Sequence, residues 1–182
     1  FSIGQEGVFP EEPLVRQMEA QSKATVDVAS VLQPLRDLTE MTEKTFVDLS
    51  GKEVTKQIPK SYEIGLARAG DSAMKTQSAT LLNELYLAME AGGLDPENMG
   101  PTATREMIRR LQKISDAKGV YGGEPVSEQW SRQVGDIAAN MKKMLEAKVD
   151  PTAGVDPVSG KTYSQLMGDL HHKMNQKDFW SE

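Results

Sequence analysis

The sequence predicts an all-α fold of about five helices, in a bundle-like or extended arrangement behind an extended N-terminal arm. Two apolar stripes carry that expectation. Trp130, Val134, Ile137, Met141 and Met144 recur at steps of four, three, four and three, and Tyr163, Met167, Leu170 and Met174 repeat the pattern, the spacing of one helix face. Composition adds a third observation: with four Phe, four Tyr and two Trp, large aromatic area is scarce, and Leu, Val, Ile, Ala and ten Met have to fill the core. Such residues suit helix-on-helix packing, and Met fills irregular gaps.

From the start of the chain, residues 1–13 hold two Gly and two Pro without a helical period and read as an extended arm. Residues 14–91 form a first helical region. Within it Val28, Val31, Leu35, Leu38, Thr42, Thr45 and Leu49 fall on alternating steps of three and four, predicting a long coiled-coil-like helix from Leu14 to about Leu49. Pro34 either kinks that helix or opens its second half in a first turn, where a missing N–H costs nothing. Ser50 and Gly51 end it. The connection from Val54 to Pro59 reads as a loop in preference to a hairpin with Phe46 to Leu49. A second helix spans Ser61 to Ala91, small residues first and then Leu81, Leu82, Leu85, Tyr86 and Met89, with Gly92 and Gly93 as its stop.

Residues 92–182 form a region of three helices and a short C-terminal tail. After the turn-rich stretch from Leu94 to Pro101, a helix runs from about Thr102 to Lys118 with Met107, Leu111 and Ile114 inward. The clearest amphipathic helix follows Pro125 and reaches about Ala147, and the last covers Thr162 to about Gln176. Gly93 to Pro96 and Gly154 to Pro157 share a Gly-x-Asp-Pro pattern, each between two helices.

Several chemistries find no support. The chain has no Cys, so disulfides, thiolate nucleophiles and Cys-type zinc sites are excluded. No apolar run approaches the roughly 20 residues that span a bilayer. The net charge of −6 opposes a general coat for nucleic acid. Gly154 to Thr162 resembles a phosphate-binding loop but places five residues, not four, between its first Gly and the Gly-Lys-Thr; it reads as a turn and a helix cap. His171 and His172 are the only histidines, and adjacent helical positions point about 100° apart, which does not make a metal site. Glu11 with Glu12, Glu40 with Glu43, and Asp150 with Asp156 sit in arms, faces and turns. No catalytic, cofactor or metal residue is expected, and the chain is expected not to be an enzyme.

Partner contact remains. Arg105, Arg109, Arg110, Lys113 and Lys118 predict a basic stripe opposite the apolar face of their helix, fit for nucleic-acid phosphates or an acidic partner. Met174, Phe179 and Trp180 put large apolar groups at the end of the chain, fit to dock on a neighbouring subunit. Long helices containing Ala, Gln and Met, joined by Asp-Pro and Gly-rich turns and free of Cys, resemble the structural or internal components of bacteriophage particles. The expected function is therefore a structural or assembly role through helix-mediated protein-protein contacts in a homo- or hetero-oligomer, in the cytoplasm or within a virus particle. The alternative is a helical regulator that binds nucleic acid or an acidic partner through residues 105–118. The chain opens on Phe1, not Met, which fits a fragment or a processed product.

Overall fold

A computed structural model describes residues 9–38, 41–47, 49–59, 73–117 and 119–181, with the side chains of 59, 73, 75 and 175–181 excepted. Among these the chain is mostly helical, with seven helices and two small antiparallel hairpins. The helices are α1 (Glu11–Gln21), α2 (Val28–Val31), α3 (Gln33–Arg36), α4 (Ala73–Ala91), α5 (Pro101–Asp116), α6 (Glu128–Ala153) and α7 (Tyr163–Ser181). The strands are β1 (Met41–Val47), β2 (Glu53–Pro59), β3 (Val120–Tyr121) and β4 (Glu124–Pro125). The all-α expectation is thus corrected by two strand pairs. No described helix is long and apolar enough to cross a membrane.

The coiled-coil-like helix predicted for Leu14 to Leu49 is replaced by three helices and a strand. Helix α1 begins inside the expected arm, at Glu11, and ends at Gln21; residues 1–8 of that arm lie outside the described residues. Asp27 then starts α2 by accepting the Ser30 N–H at 3.2 Å, and Pro34 occupies the first turn of α3, where its missing donor is harmless. From Met41 the residue types change the outcome. Thr42, Thr45 and Val47 face Ile58, Thr55 and Glu53 across the β1–β2 ladder, Phe46 faces Val54, and the Thr45 and Thr55 hydroxyls lie 3.1 Å apart. β-Branched and aromatic cross-strand pairs favour this pleated pairing over a helix whose seam carries two Thr. The segment expected as a loop is therefore β2. Gly51, with φ 85°, takes up the left-handed turn between the strands.

Helix α4 buries Ala79, Leu81, Leu82, Leu85, Tyr86 and Met89, and ends as expected at Gly92 and Gly93, where Leu94 N–H returns to the Met89 carbonyl at 2.8 Å. The predicted part from Ser61 to Ser72 lies outside the described residues. Helices α5 and α6 make the broadest helix pair of the molecule. Trp130, Val134, Ile137 and Met141 are all buried in α6, and the stripe continues through Leu145 and Val149, so the helix outruns its predicted end by a turn and a half. Trp130 is fully buried, donates its indole N–H to Ser78 Oγ at 3.0 Å and stacks on Tyr121 with centroids 5.4 Å apart. The Gln77 amide lies within 3.0–3.2 Å of the Tyr121, Glu124 and Pro125 carbonyls and ties the β3–β4 turn to α4.

The α6–α7 connection closes on itself. Asp156 is buried and accepts Ser159 N–H at 2.7 Å; Val155 bridges Thr162; and Thr162 with Gln165 forms a reciprocal capping box on α7 at 2.9 and 3.2 Å. Asp150, on α6, accepts hydrogen bonds from the Ser164 N–H and hydroxyl. Asp95 plays the same turn-forming part in the first Gly-x-Asp-Pro segment, accepting Glu97 N–H at 3.0 Å.

At the α5–α6 crossing, a Cβ on Gly135 would stand 2.9 Å from Ser115 Oγ, which cannot yield freely because it donates to the Ser131 carbonyl at 2.8 Å. Gly135→Ala should therefore lower the urea midpoint, with an overpacking cost of about 1–3 kcal/mol exceeding the roughly 1 kcal/mol that Ala gains over Gly within a helix. Adding Ser115→Ala should recover part of the loss. A higher midpoint in the single variant would contradict the close crossing.

Candidate interaction site

Helix α1 turns an unusual face inward. Glu11, Glu12, Val15, Met18 and Glu19 follow the spacing of one helix face and all are buried, so three of five inner positions are acidic. Burying a carboxylate is costly unless it is paired, and most of the partners come from α5 and α7, although Glu11 Oε1 is buried without a hydrogen-bond partner. Arg105, 4% exposed, forks onto Glu19 with Nε to Oε2 at 2.6 Å and Nη2 to Oε1 at 3.1 Å, while its Nη1 donates to both Glu12 oxygens at 3.1 and 3.2 Å. Glu19 also accepts the Thr102 hydroxyl at 3.1 Å and the Tyr163 hydroxyl at 2.6 Å. Glu12 accepts from Arg109 Nη2 at 2.8 Å and Arg16 Nε at 3.1 Å, and Lys173 Nζ reaches Glu11 at 2.7 Å.

The electrostatics follow from this pairing. Burial alone would push the Glu12 carboxyl up, but the Arg105 and Arg109 guanidiniums overcome it and hold the group below the usual carboxylate range. Burial and the neighbouring Glu19 carboxylate both push the Tyr163 phenol upward, keeping it a neutral donor.

The predicted basic stripe is divided by this arrangement. Met107 and Leu111 are buried as expected, but Ile114 is half-buried and the buried face extends through Thr104, Arg105 and Ile108, so Arg105 lies on the inner face and points at α1, not at solvent. Arg109 is half-buried against Glu12, Arg110 pairs with Glu84 at 3.3 Å, and Lys113 is exposed. Lys118 lies outside the described residues. Met174 is half-buried and packs on the core. The expected tail after Gln176 is instead the continuation of α7 to Ser181; the Phe179 and Trp180 side chains are among those not described.

His171 is half-buried beside Arg109, Lys142, Met167, Leu170 and Met174 in a shallow depression, and His172 is exposed. Burial and then Lys142 lower the His171 imidazole, with Asp116 and Glu146 opposing. Among the described residues no group of three or more His, Asp or Glu side chains is placed to hold a metal ion. A cleft of about 190 Å³ lies between the long hairpin and the body, lined by Arg36, Glu43, Lys56, Tyr86 and Glu97. Lys56 spans its rim, pairing with Asp95 at 3.2 Å and Glu97 at 3.0 Å.

The sequence contained a signal for the α1 site that hydrophobic pattern reading passes over. Glu11, Glu12 and Glu19 flank Val15 and Met18 at helical spacing, and counting acids as inward-facing would have found the helix. No protein-family model, curated protein or solved structure matches this chain.

Arg105→Met should cost about 3–5 kcal/mol in urea unfolding, since it strips the buried Glu19 carboxylate of its cation and leaves Glu12 only Arg109 and Arg16, whereas Lys113→Met should stay within about 0.5 kcal/mol. Equal effects would sink the assignment. Acidification should weaken the fold in two stages. The lowered His171 makes the unfolded chain the better proton acceptor, so stability drops as pH falls below the unfolded imidazole value of about 6.5; lowered Glu12 contributes stability present above about 4.3 and lost as pH falls through its folded value. His171→Gln should flatten the first stage and Glu12→Gln the second, read as urea midpoint against pH.

Proposed function

We propose that this chain is a non-enzymatic structural or assembly protein that works through protein-protein contacts, with the β1–β2 hairpin as a principal contact surface. One observation carries the reading. The hairpin is anchored at its base, where Ile58 is 1% exposed, but near its turn Val47 is 69% exposed and Leu49 fully exposed. Two-stranded hairpins are marginal in water, and apolar side chains beside unpaired strand edges are a template for another chain. Val120 on β3 and Val158 on the α6–α7 turn, at 70% and 84% exposure, add apolar points of contact. The compositional resemblance to bacteriophage structural and internal components supports placing the role within a virus particle.

The alternative, a regulator binding nucleic acid or an acidic partner through residues 105–118, has less support. Arg105 and Arg109 are engaged by Glu12 and Glu19, which leaves Lys113 and half-exposed Arg110 as the outward basic groups of the described helix, beside exposed Glu106 and Asp116.

Light scattering on a concentration series tests the reading. The wild-type chain should exceed its 20.0 kDa monomer mass, and Val47→Ser with Leu49→Ser should shift the population toward monomer without loss of helical circular dichroism. A chain monomeric at every concentration, or a double variant that assembles unchanged, would overturn the hairpin as the contact surface.

A further inference from the structure

We infer that α1 is an exchange element, and that the groove on α5 and α7 that holds it accepts the same helix from a second copy of this chain. This rests on the assembly reading and adds to it the partner and the piece exchanged.

The ties of α1 run to the far half of the sequence. Glu19 reaches Thr102, Arg105 and Tyr163, Glu12 reaches Arg105 and Arg109, and Glu11 reaches Lys173, at sequence separations from 83 to 162 residues. Its packing partners are α7, α5 and α6. The connection onward to α2 is short and fixed at both ends. Ser22 Oγ lies 2.8 Å from Thr152 Oγ1 at the end of α6, and Val26 exchanges backbone hydrogen bonds with Met99 at 2.8 and 3.0 Å. Between those points stand Lys23, Ala24 and Thr25, the first and last exposed, held locally by the Ala24 N–H to Ser22 Oγ bond at 3.1 Å. A rotation within these three residues carries α1 away with its inner face intact.

The groove it leaves does not tolerate being empty. With α1 gone, Arg105 and Tyr163 lose the Glu12 and Glu19 carboxylates and the apolar surface covered by Val15 and Met18 is opened to water, so the open chain recaptures an α1, its own or another's. A second copy presents the required face by identity: Glu11 for Lys173, Glu12 for Arg105 and Arg109, Glu19 for Arg105 and Tyr163, with Val15 and Met18 between them. Closed and exchanged forms make the same contacts and differ in hinge shape and association entropy, which makes the balance concentration-dependent and a short hinge favourable to exchange.

The absence of Cys from the sequence supplies the test. Full-length Ser22→Cys and Thr152→Cys chains, mixed at high concentration and oxidised, should yield a covalent heterodimer joined through positions 22 and 152, identified by mass spectrometry of the linked peptides and increasing with concentration. The double variant Ser22→Cys with Thr152→Cys, oxidised when dilute, should close the bond within one chain and should then fail to exchange. Absence of the cross-chain 22–152 linkage, in conditions where the double variant closes, overturns the proposal. A dimer seen by light scattering without that linkage overturns exchange and leaves hairpin association standing; a monomer throughout overturns both.

Discussion

The placement of Arg105 governs the arrangement of this molecule's first helix and, through it, the relation of the two ends of the sequence. A guanidinium with its rigid fork of donors can serve two carboxylates at once, where an ammonium would act as a point charge. Here it serves Glu12 and Glu19, which lie two helical turns apart on α1 and so fix both the tilt and the rotation of that helix. Tyr163 completes the Glu19 shell from α7. One side chain on α5 thus sets where α1 lies, and α1 in turn covers part of α7.

The molecule divides its cohesion between two kinds of force. The interior from α4 to α7 is held by apolar area around Trp130, Leu82, Leu111, Met141 and Leu170, which is non-directional and scales with surface removed from water. The seat of α1 is directional, and Val15 and Met18 are its buried apolar residues. Ionic seats of this kind contribute little net stability compared with well-packed apolar ones but discriminate strongly against the wrong register.

How much of this was legible in the sequence depends on which force shapes each element. Helices α4, α6 and α7 were readable because their inner faces are apolar: Leu81 to Met89, Trp130 to Met141 and Tyr163 to Leu170 are buried as their spacing required. The capped turns were readable from Gly and Asp-Pro. The stretch from Leu14 to Gln21 was expected to be helical, but the inner face of α1 was not legible, since its inward positions are mostly Glu and an acid is ordinarily taken for an outward residue. Arg105 was misplaced for the same reason. The segment from Val28 to Leu49 satisfied a heptad-like spacing while its β-branched content, with a partner strand ahead in sequence, favoured pleated pairing; spacing alone does not weigh those two.

The connection from Gly154 to Thr162 has a consequence for how the polypeptide can be altered. Its two ends are held by Asp150 on Ser164 and by the Val155–Thr162 bridge, and the capping box starts α7 without help from the loop's tip. Val158, at the tip, stands in solvent. The register between α6 and α7 is therefore independent of what the tip contains. Extra sequence spliced in at that point would hang outside the fold like a pendant, making it the natural place to attach a fluorophore, an affinity handle or a passenger domain while leaving the surrounding helices in place.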